Sequence, residues 1–377
     1  MKFVPKTLNQ KITSALGVLT LIPLSANALL FSTSAVSFSN SATVSDTQGG
    51  SASNKNGESL GTTSISQFNS NQGVLIGTTL HLVSTRTQST WVQSSDGPNN
   101  GNDNDVASSG TGSSTARISG AGLDVTFLPA ITNSDTCSGH RTDGCVGTAT
   151  VSAGIATNIN QAVSSANLDN YVGSGDVTLA RTAPTLTATQ TDDKFTGTET
   201  TQHTVTWEGN VGASYDYLLH AAPSFDGSST MLTLNLDFGT FYLGDVATLG
   251  FNLFNLTDGD RVGLDLDSIY STGDVGTLMT GLDLFSSLAQ GSSHSWLAML
   301  DTSVTGLFNA SYLLNLSDAD VGAASSRASY SLTLNLTGRV DELSTPPQEV
   351  NAIPEPGTFA LLGLGLAGLS FVRRKKG

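Results

Sequence analysis

Five histidines, His81, His140, His203, His220 and His294, are scattered along this chain of 377 residues. No H-E-x-x-H pair, no G-x-S-x-G elbow, no phosphate-binding loop and no paired-cysteine zinc spacing accompanies them. A Ser/His/Asp relay would have to assemble in space, because nothing local selects one serine among so many. The stretch "GLGLAG", Gly363 to Gly368, spells G-x-G-x-x-G. The dinucleotide fingerprint also needs a preceding strand, a βαβ unit and a later acidic residue, and only nine residues remain after it. The sequence therefore gives no ground for an enzyme and implies no resident cofactor.

Oxygen-rich turns are the one place where an ion would be welcome. Asp103 and Asp105 lie in "DGPNNGNDNDV", and Asp258 and Asp260 lie in "TDGDR". Calcium prefers several such oxygens. The EF-hand pattern fails, however: counted from Asp103, Ala107 supplies no side-chain oxygen, Ser108 replaces the turn glycine and Ser114 stands where the closing glutamate belongs. Aspartates also favour turns for their own sake, so these four are weak calcium candidates. Cys137 and Cys145 flank a turn-rich "SGHRTDG" and are expected to form one small disulfide. Trp91, Trp207 and Trp296 each fall within a strand-like pattern, which favours core packing over a sugar-stacking platform.

The elements at the two ends say where such chemistry would take place. Lys2, Lys6 and Lys11 precede an apolar stretch, Ile12 to Leu24, and then Ala26-Asn27-Ala28. A positive start, a short apolar centre and small residues at the A-x-A positions describe a secretory signal peptide over 1–28, cut by signal peptidase after Ala28. At the other end, Gly357 to Val372 carries no charge and four basic residues follow. As a single transmembrane helix, 357–372 would reach about 24 Å at about 1.5 Å per residue, marginally short of a hydrocarbon core of roughly 30 Å. Snorkelling Arg373, Arg374, Lys375 and Lys376 would extend it and fix its basic end on the cytoplasmic side.

Pro354-Glu355-Pro356, the short Gly/Leu/Ala span and the terminal Arg/Lys cluster together resemble the PEP-CTERM sorting signal of Gram-negative bacteria, here residues 354–377. That resemblance implies recognition by an exosortase-type membrane enzyme, transient membrane insertion, cleavage near Pro354, Glu355 and Pro356, and delivery to the cell surface or extracellular matrix. The prolines also stop a helix from continuing outward, which leaves an extended peptide for an enzyme to reach.

Only 12% of residues are charged and 40 are glycine, where soluble domains carry about 25% charged residues. The formal charge is −15; without both terminal segments, 9 basic and 30 acidic residues remain, or −21. Such a chain repels a phosphate backbone, so no nucleic-acid partner is expected. The rest reads as strands separated by Gly/Asp/Ser turns, an all-β protein of two β-sandwich-like domains. The first, 29–222, contains one stretch with helical spacing, Val151, Ile155, Ile159 and Val163, which predicts a helix over 151–166. Its "YVGSGDVTLA" and "TVTWEGNVGASYDYLL" resemble the choice-of-anchor E type of domain. The second, 229–343, alternates Leu232, Leu234 and Leu236 with Thr233 and Asn235, and repeats this at Leu332, Leu334 and Leu336, as an immunoglobulin-like sandwich does. "LDFGTFYLGD" and "GLFNASYLLNLSDAD" also resemble the choice-of-anchor D or Hydin-like domain. Both resemblances imply surface location and carry no catalytic residues. Residues 344–353, with Pro346-Pro347, form a semi-rigid linker.

These readings describe an exported structural protein of the cell surface or of an exopolysaccharide or biofilm matrix, anchored in the inner membrane as precursor. A carbohydrate-binding or adhesive module is the first alternative, with exopolysaccharide as partner, and a secreted hydrolase the second.

Overall fold

The computed structural model describes residues 28–47, 52–98, 104–191 and 194–343. These form two all-β units, each with its own core. The expected signal peptide up to residue 27 and the expected C-terminal helix lie outside the described residues.

Two long strands, Val74–Ser94 and Glu199–Leu218, form the spine of the first unit. They pair antiparallel from Glu199↔Ser94 to Leu218↔Val74. Threonine, valine and serine alternate along both, which suits a pleated, half-buried surface. Val36–Thr47 and Leu29–Ser32 add to the free side of Glu199–Leu218, and Ile155–Ala162 adds to the free side of Val74–Ser94. A second sheet faces this one, built around Asp105–Gly120 and its partners Leu123–His140, Asp176–Ala183 and Leu186–Gln190.

The space between these sheets changes character along its length. One end is apolar, with Phe68, Leu80, Leu82, Leu179, Trp207 and Tyr215 buried. The other is polar: Thr90, Ser108, Glu199, Thr201 and His203 are at most 1% exposed. A buried carboxylate is tolerated only when its lone pairs are met. Glu199 meets them with the Ser108 hydroxyl, the Gln190 amide and the backbone N–H groups of Lys194 and Phe195. Gly112 lets the facing sheet approach, since a Cβ there would stand 2.0 Å from Nδ1 of His203.

The helix expected over 151–166 is a strand instead. Ile155–Ala162 pairs residue by residue with Thr79–Arg86. An edge of the long Val74–Ser94 strand needed a partner, and one helical turn could not satisfy its N–H and C=O groups. Ile155 and Ile159 also sit four apart in a period-two pattern, so that spacing could not decide between the two readings. Helix in the described residues is confined to three short 3₁₀ turns, Ser70–Gln72, Ser165–Tyr171 and Ala324–Ser326.

The second unit is a sandwich of a four-stranded and a five-stranded sheet among the described residues. Its alternation is clean. Leu332, Leu334 and Leu336 are fully buried, while Thr333, Asn335 and Thr337 point outward. Its first long strand, Thr233–Tyr242, runs parallel to its last, Ser329–Asp341, and the other pairings are antiparallel.

Candidate functional site

The most heavily bonded cluster of ionisable groups lies where the two units meet. The three 3₁₀ turns converge there. Ser325 donates through its N–H and its hydroxyl to Oδ1 of Asp169, at 2.8 and 2.7 Å. Leu75 donates its N–H to the Ser326 hydroxyl at 3.0 Å and accepts from the N–H of Ala323 at 2.8 Å. Gly322, at φ +65°, makes this approach possible, because a Cβ there would lie 2.1 Å from the Leu75 carbonyl oxygen.

His220 closes the joint. Its Nδ1 lies 2.7 Å from Oδ2 of Asp318, and its Nε2 lies 2.7 Å from the carbonyl oxygen of Ser70. A backbone carbonyl only accepts, and so does an ionised carboxylate, so both ring nitrogens must carry hydrogen and the ring is an imidazolium. The bond to Asp318 raises the His220 pKa, against the opposing effect of burial. Asp318 is fully buried. Burial alone would raise its carboxyl, but the His220 ring, the N–H groups of Ala328 and Ala221 and the Tyr330 hydroxyl outweigh it, and the pKa falls below the usual range. Arg261 donates to the His220 carbonyl at 2.7 Å. No substrate could reach this carboxylate, so its chemistry is that of a charged rivet between domains.

A serine relay exists as well. The Ser214 hydroxyl lies 2.8 Å from Nε2 of His81, and Nδ1 of His81 lies 2.7 Å from Oδ1 of Asn160. The order is that of a nucleophile, a base and an orienting amide. Its setting is wrong for catalysis. Ser214 is 8% exposed in mid-strand, with Ser32 opposite it on one side and Thr79 on the other. Ladder bonding on both sides engages the neighbouring backbone amides, so no pair of free N–H groups is aimed at a developing oxyanion.

The aromatic candidates divide. Trp207 is 1% exposed and packs edge-on against Phe38 and Phe127, so it offers no platform. Trp296 is buried beside Phe251, Phe285 and His294, with Nε1 bonded to Asp283. Trp91 is half-buried and donates to the Gly147 carbonyl at 3.0 Å.

The acidic candidates are dispersed. Asp105 lies 3.1 Å from Nδ1 of His140. Asp258 accepts from Nε and Nη2 of Arg261, and the Asp260 carbonyl accepts the N–H of Leu219. Asp103 lies outside the described residues, among which no three His, Cys, Asp or Glu side chains gather as a metal would require. Cys137 and Cys145 are joined, with their Cα atoms 5.7 Å apart. Cys137 belongs to one sheet of the first unit, and Cys145 pairs with Ser94 in the other, so the bridge staples the two together.

Of the processing residues, Ala28 is exposed and directly precedes the first strand, Leu29–Ser32. Ala26, Pro354, Glu355 and Pro356 lie outside the described residues. Among those described, no helix is long and apolar enough to cross a membrane. Sequence spacing could not have revealed the His220–Asp318 pair or the Ser214–His81 pair, which join residues 98 and 133 apart. Asn255, in the glycosylation-like triplet Asn255-Leu256-Thr257, is fully buried and bonds Val262, Leu288 and Ala222 backbone groups, which makes it a structural residue.

Residues 352–376 match the PEP-CTERM protein-sorting motif, which takes in Pro354, Glu355, Pro356, the uncharged run and the terminal basic cluster. The chain thus carries the mark of an exported protein sorted by an exosortase. No curated protein matches it in sequence. Among solved structures, a Vibrio cholerae VesB protease is similar at 10% identity and a TM-score of 0.22, covering 75% of this chain and 100% of that one. A likeness that slight carries no argument about fold or activity.

Proposed function

We propose that this chain is a non-catalytic structural protein of the cell surface or extracellular matrix, held briefly in the inner membrane by its C-terminal segment and freed by exosortase cleavage near Pro354-Glu355-Pro356. The observation that carries this reading is the sorting motif at 352–376, joined to two β-sandwiches in which the buried Glu199, Asn255 and Asp318 are each held by several hydrogen bonds within the fold. Replacing both Pro354 and Pro356 with alanine tests it in a host that encodes the enzyme. The wild-type protein is expected to lose its terminal segment, as read by intact mass, and to leave the membrane fraction, while the variant stays full-length and membrane-bound. Unchanged processing of the variant overturns the cleavage reading.

A second reading, adhesion to a neutral polysaccharide, has its own support in the outer face of the five-stranded sheet. Asn335 donates to Asn235, and Ser311 donates to Asn335, both at 2.9 Å, which orders amides and hydroxyls across three strands. A shallow trough of about 350 Å³ beside them is lined by Thr272, Asn309, Ser311, Asn335 and Thr337. The residues that line the trough carry no charge, on a chain otherwise so acidic, and their amides and hydroxyls suit sugar hydroxyls. Retention on a neutral glycan matrix that falls with Asn335→Asp but not with Trp91→Ala would favour this face over the tryptophan.

A further inference from the structure

Six large apolar side chains gather at one end of the second sandwich. Tyr242 closes the strand Thr233–Tyr242, and Leu243 and Val246 lie in the turn that follows. Val304 lies in the turn before Gly306–Asp318, Leu307 is the second residue of that strand, and Leu343 follows Ser329–Asp341. Backbone bonds tie these turns together. Leu243 donates to Asp341 at 3.1 Å, Gly244 donates to Thr302 at 3.2 Å, and Leu307 stands opposite Arg339. Exposure reaches 87% for Val246, 70% for Leu307, 69% for Leu343 and 62% for Val304. Turns are ordinarily built from polar residues, and a concentration of bare aliphatic side chains on one tip marks a contact surface.

The position of this tip identifies what it meets. The joint with the first unit, at Asp318 and Ala323, lies at the opposite end of the same strands. The chain leaves the fold at Leu343, within the tip, and only residues 344–356 separate it from the uncharged run that starts at Gly357. Fully extended, that connection spans no more than roughly 45 Å. Carboxylates border the tip and hold its turns: Asp245 accepts the N–H of Tyr242, Asp301 that of Ser303 and Asp274 that of Asn309. Arg339 is paired with Asp341. Such a border is repelled by anionic headgroups and attracted by ammonium groups.

We propose that this tip is a foot that rests on a zwitterionic, ammonium-bearing bilayer surface, with Val246, Val304, Leu307 and Leu343 entering the interfacial layer. The proposal rests on the reading that 357–372 enters the same bilayer. The foot stands the sandwich on end and keeps Pro354-Glu355-Pro356 close to the membrane surface. Alone it is a weak contact, so cutting the tether releases the protein, much as one membrane signal of two fails to anchor by itself.

The full-length precursor, reconstituted in phosphatidylethanolamine/phosphatidylcholine liposomes, tests this. An environment-sensitive fluorophore is attached through Val304→Cys or Leu307→Cys, and through Ser228→Cys, in an exposed turn at the far end, as control. Blue-shifted emission and quenching by shallow nitroxide lipids are expected at 304 and 307, and neither at 228. Exchanging part of the phosphatidylcholine for phosphatidylglycerol should diminish both signals. Precursor that floats with the liposomes while all three labels remain in water overturns the foot and leaves the anchor standing. Precursor that does not float overturns the anchor, and the foot with it. Label-to-label quenching that grows with protein concentration in the absence of lipid would make the tip a self-association surface and overturn the proposal.

Discussion

His220 and His203 set opposite limits on stability. His220 has a raised pKa in the folded protein, so its contribution is complete below the unfolded value of about 6.5 and is lost as pH climbs through the folded one. Burial holds His203 down at about 4. Between about 4 and 6.5 the unfolded chain therefore binds the extra proton, and stability falls as pH falls across that window. Denaturation midpoints measured against pH should pass through a maximum, with His220→Gln flattening the alkaline limb and His203→Gln the acid one. Asp318→Asn leaves the imidazolium without its counter-charge and turns a donor toward groups that also donate; it is expected to cost about 3–5 kcal/mol. Trp207→Ala should cost a similar amount, about 3–5 kcal/mol, whereas labelling by a serine-directed phosphonate should be absent at Ser214. The partners of His220, Asp318 and Ser214 were not legible locally, because they come from distant parts of the chain. The strand pattern around Trp207 did point to the core, where the fold seals it.

At the scale of elements, alternation made the second sandwich legible and the first less so. Leu332, Leu334 and Leu336 announce an inward face because each is fully buried among apolar neighbours. On Val74–Ser94 the inward residues include Ser84, Arg86, Gln88 and Thr90, so hydrophobicity stops distinguishing inside from outside halfway along. Within 151–166, Ile155–Ala162 is a strand despite its helical spacing, since partner demand and not local period decided its form. Thr157→Pro would remove a ladder donor opposite Ser84, since the Val163 N–H bond to the Thr78 carbonyl sets which residues of this strand face Val74–Ser94; hydrogen exchange should then quicken across Ile155–Ala162 while the second sandwich keeps its protection. The Cys137–Cys145 bridge closes a small loop. Its reduction should lower stability by about 2.5 kcal/mol in the chain-entropy picture, read as a shift in the denaturant midpoint of the first unit.

For the whole molecule, the sorting motif was fully legible because its recognition needs only order and composition in a short terminal stretch. The joint and the foot were not, since each is assembled from turns far apart in the chain. One pairing described above bears on how the molecule is made. The earliest strands, Leu29–Ser32 and Val36–Thr47, find their partner in Glu199–Leu218. A chain threaded outward with its beginning in front must therefore keep those strands waiting until some hundred and fifty further residues have emerged. Long-range pairing of this kind is slow and leaves sticky borders bare in the meantime. Halting translocation before residue 199, which leaves Leu29–Ser32 and Val36–Thr47 without the strand they pair with, should yield aggregates instead of half a domain.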